Sequence, residues 1–191
     1  MTQEQTLRDL LQADVWFMRL LHAAASLALP DWALAGGVIR DTVWDKLCHR
    51  RTRTPVGDVD LVYFDAVDAD TVHNAEAERA LAEVLGDVRW DVKNEAGIHR
   101  WYQTHLGEVI PAFGSLEEAI KFFPETCVAV GVTLVGSADL RVIAPVGLDD
   151  LLGLVMRRNS FRTGPDYFAR RLEEKRIRQK WPSVSIIDDG E

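Results

Sequence analysis

The sequence has little cysteine and no excess of positive charge, and each shortage excludes something. Only Cys48 and Cys127 occur, far apart and without a Cys-x-x-Cys pair. That spacing argues against a zinc knuckle or a secreted disulfide framework and fits a reducing, cytoplasmic setting. Lysine and arginine number 22 against 30 acidic residues, a formal net charge of -8. A broad basic surface, from which most sequence-nonspecific nucleic-acid binders gain affinity, is therefore not expected, and a small-molecule or protein partner is favoured. Long apolar runs are missing too. The most apolar N-terminal stretch, Val15 to Leu29, is interrupted by Arg19 and His22 and preceded by Glu4, Arg8, Asp9 and Asp14. It reads as neither a signal peptide nor a membrane span. No internal repeat or low-complexity segment is evident.

What is present suffices for a proper core: 47% of the 191 residues are hydrophobic, a length that suits one domain with or without a small appended lobe. From Leu7 to Leu29 apolar residues recur at threes and fours, which predicts an amphipathic helix opened by a Thr2-x-x-Gln5 capping box and closed by Pro30. Trp32 to Ala35 is a short apolar run ending in Gly36-Gly37, after which Val38, Val43, Trp44 and Leu47 suggest a helix. An arginine-rich loop, 48–57, follows. Asp58 to Phe64 alternates as a strand, a helix is expected near Thr71 to Leu85, and Val88 to Val92 reads as the next strand. Alternation there puts Trp90 and Val92 on one face and Arg89, Asp91 and Lys93 on the other.

Further on, Ser115-x-x-Glu118 opens a short helix, and Thr126 to Val135 is a β-branched run with a hairpin partner at Leu140 to Ile143. Leu148 to Met156 and Asp166 to Trp181 look helical. The expected division is a first lobe over 1–95, a C-terminal α+β lobe over 96–183 packed on it, and a loose tail over 184–191.

The chemistry concentrates on the second predicted strand. Asp58 and Asp60 stand two apart, so both carboxylates leave one face with Cα atoms roughly 6.5–7 Å apart. Two carboxylates aimed at one point repel unless a cation neutralises them, and hard oxygen ligands select Mg²⁺ or Mn²⁺. If Asp91 lies on the neighbouring strand and faces the same way, three carboxylates can hold two ions about 3.5–4 Å apart, a clamp for in-line phosphoryl displacement. Gly36 and Gly37 directly before a helix add an anion site, because glycines admit close backbone approach and the helix N-terminus presents free N–H groups. Arg40 has two readings, a phosphate contact or a pair with Asp41 or Asp45. His99 beside Trp101 and Tyr102 reads as structural, and Trp16, Trp32 and Trp44 as core.

The succession Gly36-Gly37-x-x-Arg40-Asp41, then Asp58-x-Asp60 among apolar residues, then a strand Asp91, resembles the signature of the polymerase β superfamily of nucleotidyltransferases over roughly residues 32 to 93. Within it, Gly-Gly-x-x-Arg-Asp resembles the head of CCA-adding enzymes and bacterial poly(A) polymerases, whose length and basic body this chain lacks. Downstream, Asn94 with His99 and Trp101, Ala129-Val-Gly-Val132, Ala144-Pro-Val-Gly-Leu148 followed by Asp149-Asp150, and Trp181-Pro182 are similar to bacterial nucleotidyltransferase-family proteins without a settled substrate.

The resemblance implies an α/β (α+β) fold, a small mixed sheet backed by helices with a C-terminal α+β lobe. It also implies transfer of a nucleoside monophosphate from a nucleoside triphosphate to an unknown hydroxyl acceptor with release of pyrophosphate. Asp58, Asp60 and Asp91 would be catalytic and hold Mg²⁺ or Mn²⁺, and Gly36, Gly37 and Arg40 would bind the nucleotide. Two alternatives stand beside it: a catalytically silent nucleotide-binding or regulatory module, and an RNA 3′-end nucleotidyltransferase.

Overall fold

The computed structural model describes residues 1–68, 72–106 and 109–188. Two helices open the chain, α1 (Gln3–Gln12) and α2 (Val15–Ala25), where one was expected. The Thr2 side chain accepts from the Gln5 N–H and caps α1, while the Gln5 amide reaches Asp9 rather than completing a capping box. The apolar spacing runs on across Ala13 and Asp14 and so hides the break. Asp14 is non-helical and its carboxylate caps the Phe17 N–H, starting a second helix.

Next come β1 (Trp32–Ala35), α3 (Gly37–Leu47), β2 (Val59–Tyr63), α4 (Val72–Val84) and β3 (Trp90–Asn94). These follow the expected order. The start expected for α4 at Thr71 lies outside the described residues, and β3 sits two residues later than predicted. Then follow α5 (Ile98–Leu106), α6 (Leu116–Lys121) with Ser115 capping Glu118 N–H, a 3-10 turn (Thr126–Val128), β4 (Gly131–Val135) and β5 (Asp139–Ile143). Only the second half of the β-branched run is a strand.

Five strands make one mixed sheet in the order β3-β2-β1-β4-β5. β2 and β3 are parallel, joined through α4, and the other neighbours are antiparallel. Strands from both sides of residue 95 thus share one sheet. Val59, Leu61, Tyr63, Trp90 and Val92 face the main core with α2, α3 and α4, so the strand residues between them face the opposite side, where α6 covers Ala33, Ala35 and Val62.

The C-terminal region departs most from expectation. In place of a helix over Leu148 to Met156, α7 (Asp149–Leu152) is a single turn and β6 (Val155–Arg157) follows. The last long helix is split into α8 (Pro165–Lys175) and α9 (Ile177–Lys180) by Arg176, which has φ +52°. Ser185–Ile187, part of the expected tail, forms β7 and pairs in parallel with β6.

Trp44 and Trp181, both fully buried, pack edge to face with centroids 5.3 Å apart. Each indole N–H is satisfied, Trp44 by the Leu151 carbonyl at 2.8 Å and Trp181 by Asp45 at 2.9 Å. Asp45 also accepts from the Thr54 N–H and hydroxyl, each at 2.6 Å. The arginine-rich loop is fastened by the same body: Arg50 donates to the Lys180 carbonyl, and Arg53 bonds Asp14 at 2.6 Å while lying over the Trp16 ring.

Candidate active site

Strand register assembles the site. Ala35 on β1 pairs with Asp60 on β2, and Asp60 pairs with Asp91 on β3. The end of β1, with Gly36 beyond it, and the two aspartates therefore form one row across three strands. Gly36 has φ +72° and ψ -130°, a conformation open to glycine and strained for other residues. A Cβ there would lie 3.2 Å from Asp60 Oδ2 and 3.2 Å from Phe123, so the bare backbone lets the turn press against the carboxylate. No side chain caps the first turn of α3. The first N–H groups of a helix have no intrahelical acceptor, and an anion is favoured there.

Asp58 lies one residue before β2 and, with Asp60, lines a cleft of about 300 Å³, within the size range of small-ligand sites. Asp91 does not stand free in the row. Its carboxylate accepts from Lys93 Nζ at 2.5 Å, and the same ammonium is 3.8 Å from Asp60. Burial, partly offset by Lys93 and reinforced by Asp91 and Asp58, pushes the Asp60 carboxyl up to about 6. Burial works against the Lys93 charge, but Asp60 and Asp91 outweigh it and hold its pKa above the usual value. Glu95, two residues further along and buried at 5% exposure, is pushed up to about 7 chiefly by burial. Among the described residues, no three His, Cys, Asp or Glu side chains converge on a point that would hold a metal ion.

Arg40 also has a partner. It is 3% exposed, donates to Asp41 through Nε at 2.8 Å and Nη2 at 2.5 Å, and lies against the rings of both Trp44 and Trp181. The Asp41 pairing weighed for it in the sequence is the one formed, and its position on the cleft wall is that of a strut behind the glycine turn.

The opposite walls went unnoticed in the sequence. Ile98, Tyr102, Phe113, Phe122 and Phe123 make an apolar side, and Tyr167, Arg171 and Lys175 of α8 bring a basic one. Arg171 is held by the fully buried Glu125. Lys93 and Glu95 carried a readable signal, since the alternation that exposes Asp91 continues through both. A strand ended at Val92 stops short of them. His99 leaves Nδ1 buried without a partner and does not line the cleft.

A family model described as nucleotidyltransferase matches residues 22–186, most of the chain. The chain belongs to the nucleotidyltransferase family. This nucleotidyltransferase-family chain also shares its fold with solved structures. A CCA-adding enzyme head domain determined by NMR superposes with a TM-score of 0.77 at 24% identity, covering 96% of this chain and 95% of that one. A CCA-adding enzyme in complex with CTP superposes with a TM-score of 0.56 at 17% identity. This nucleotidyltransferase covers 42% of that longer chain. These likenesses establish a polymerase β-like nucleotidyltransferase fold. No curated protein matches the sequence. No described helix is long and apolar enough to cross a membrane.

Proposed function

We propose that the chain transfers a nucleoside monophosphate from a nucleoside triphosphate to a hydroxyl acceptor, with pyrophosphate leaving. The observation that carries the reading is the alignment of the end of β1, Asp60 and Asp91 across β1, β2 and β3, with Gly36, Gly37, Asp58 and Asp60 lining one cleft. In this reading the backbone at Gly36 and Gly37 receives the triphosphate, and Lys175 and Arg171 add positive charge from the opposite wall. The acceptor oxygen attacks the α-phosphorus, the bond from that phosphorus to the β-phosphate oxygen breaks, and the hydroxyl proton is released.

Asp58 and Asp60 fit a divalent ion. They are two hard oxygen donors, one just before β2 and one on it, lining the same cleft, and the Asp60 pKa is raised by burial first and then by the neighbouring carboxylates Asp91 and Asp58, against the pull of Lys93. Bound there, Mg²⁺ or Mn²⁺ would supply charge neutralisation at the triphosphate. A CCA-adding neighbour is named for its complex with CTP, which supports a nucleoside triphosphate as the donor substrate. The net charge of -8 favours a small-molecule or protein acceptor, with an RNA 3′ end as the runner-up suggested by the same neighbours. The free state of Cys48 and Cys127 fits the cytoplasm. The engagement of Asp91 by Lys93 favours, as a second reading, a module that binds nucleotide without turnover.

Calorimetric titration of each nucleoside triphosphate with Mg²⁺ or Mn²⁺ tests the proposal. Binding that requires metal and disappears in the Asp58→Ala/Asp60→Ala double variant is expected. Undiminished binding by that variant, or no binding of any nucleotide to the wild type, would leave only a shared fold. Pyrophosphate release separates the transferase from the silent module.

A further inference from the structure

Three carboxylates in a row suggest two divalent ions, and the structure disagrees with that count. The ammonium of Lys93 lies 2.5 Å from Asp91 and 3.8 Å from Asp60, so a cationic head already stands between the two carboxylates that a second ion would have to share. The placement follows from register. Val62 pairs with Lys93 just as Asp60 pairs with Asp91, so both β3 side chains rise on the Asp60 face of the sheet. The lysine stem is two-thirds covered, which limits how far its head can retreat. A divalent ion brought to the same place would meet like charge at contact distance.

We propose that Lys93 permanently occupies the place of the acceptor-side ion, so that this site works with one divalent ion, held by Asp58 and Asp60, where a two-ion clamp would use Asp91 as well. The inference rests on the nucleotidyltransferase reading above. One ion and one ammonium together balance the three aspartates. Asp91 then serves to fix Lys93, and Lys93 presents its remaining N–H donors to the incoming acceptor oxygen.

The test counts ions and does not depend on turnover. Equilibrium dialysis with Mn²⁺ and each of the four α,β-methylene nucleoside triphosphates, with bound Mn²⁺ quantified by electron paramagnetic resonance, gives ions per bound nucleotide. Wild type and Lys93→Arg are expected to bind one ion fewer per nucleotide than the neutral variants: a ratio of one, against a ratio of two for Lys93→Met and for Lys93→Gln, which serves as an independent replacement should Lys93→Met not fold. A ratio of two in the wild type overturns the inference while leaving the nucleotidyltransferase reading intact. So does a ratio of one in the neutral variants, because Lys93 would then not be what excludes the second ion. Absence of metal-dependent nucleotide binding in the wild type defeats the underlying reading itself, and the inference with it.

Discussion

Replacing Gly36 by alanine tests whether the turn and the carboxylates form one device. The substitution has two costs. At φ +72° and ψ -130° an L-residue is strained, and the new Cβ would stand 3.2 Å from both Asp60 Oδ2 and the Phe123 ring, pushing each by a few tenths of an ångström. Together these amount to about 2–4 kcal/mol, which for a domain of this size lowers the melting temperature by roughly 5–15 °C. Gly37→Ala is the matched control. Its Cβ would meet nothing nearer than Arg40 Nη2 at 3.8 Å, and alanine in a helix gains up to about 1 kcal/mol over glycine. Thermal denaturation by circular dichroism should therefore show Gly36→Ala well below and Gly37→Ala at or above the wild type. Calorimetry should show weaker metal-nucleotide binding in Gly36→Ala because Asp60 is displaced. A Gly36→Ala protein that melts and binds like the wild type would refute the argument that the turn is shaped around Asp60.

Two further outcomes follow from buried charge. Arg40→Ala leaves Asp41 buried without its partner and is expected to cost about 3–5 kcal/mol. Chemical denaturation should show this loss, and a cost near zero would place the Arg40 charge elsewhere than in the strut described. Glu95 has a folded pKa of about 7, well above the usual carboxyl value. The native state therefore keeps a proton that the unfolded chain has already released, and stability falls as pH rises from about 4.5 to about 7. In metal-free buffer Glu95→Gln should remove that fall, worth about 3 kcal/mol by pH 8, and an unchanged pH profile would show that Glu95 is not the group responsible.

Much of the site is local and so was legible in the residues. A glycine turn between β1 and α3 and two aspartates on an alternating strand are written within a few positions of one another, and the observed β1 and α3 match the expected spans. The adjacency of Asp60 and Asp91 stood in the sequence as a condition, neighbouring strands facing the same way, and the parallel pairing of β2 and β3 meets it. What escaped depends on contacts between distant segments. The approach of Lys93 to Asp60 requires a register between β2 and β3 that alternation alone does not supply. Likewise β6 and β7 are three-residue strands whose pairing leaves no periodic trace, so one was absorbed into a helix and the other into a tail. The break at Asp14 shows a different failure, a cap hidden inside an unbroken apolar rhythm.

The contact of Trp181 with Asp45 spans 136 positions, and it bears on the order in which the molecule becomes competent. Every residue of the glycine turn and the aspartate row precedes residue 96, so a chain in synthesis carries the whole row long before Trp181 emerges. Until then α3 lacks the second of the two rings against Arg40 and the donor that completes the Asp45 cluster. The nascent first half can pair its strands early, yet the ring that completes the packing of the Arg40 strut behind the glycine turn arrives last, and a fully packed turn should appear only as a late step of maturation.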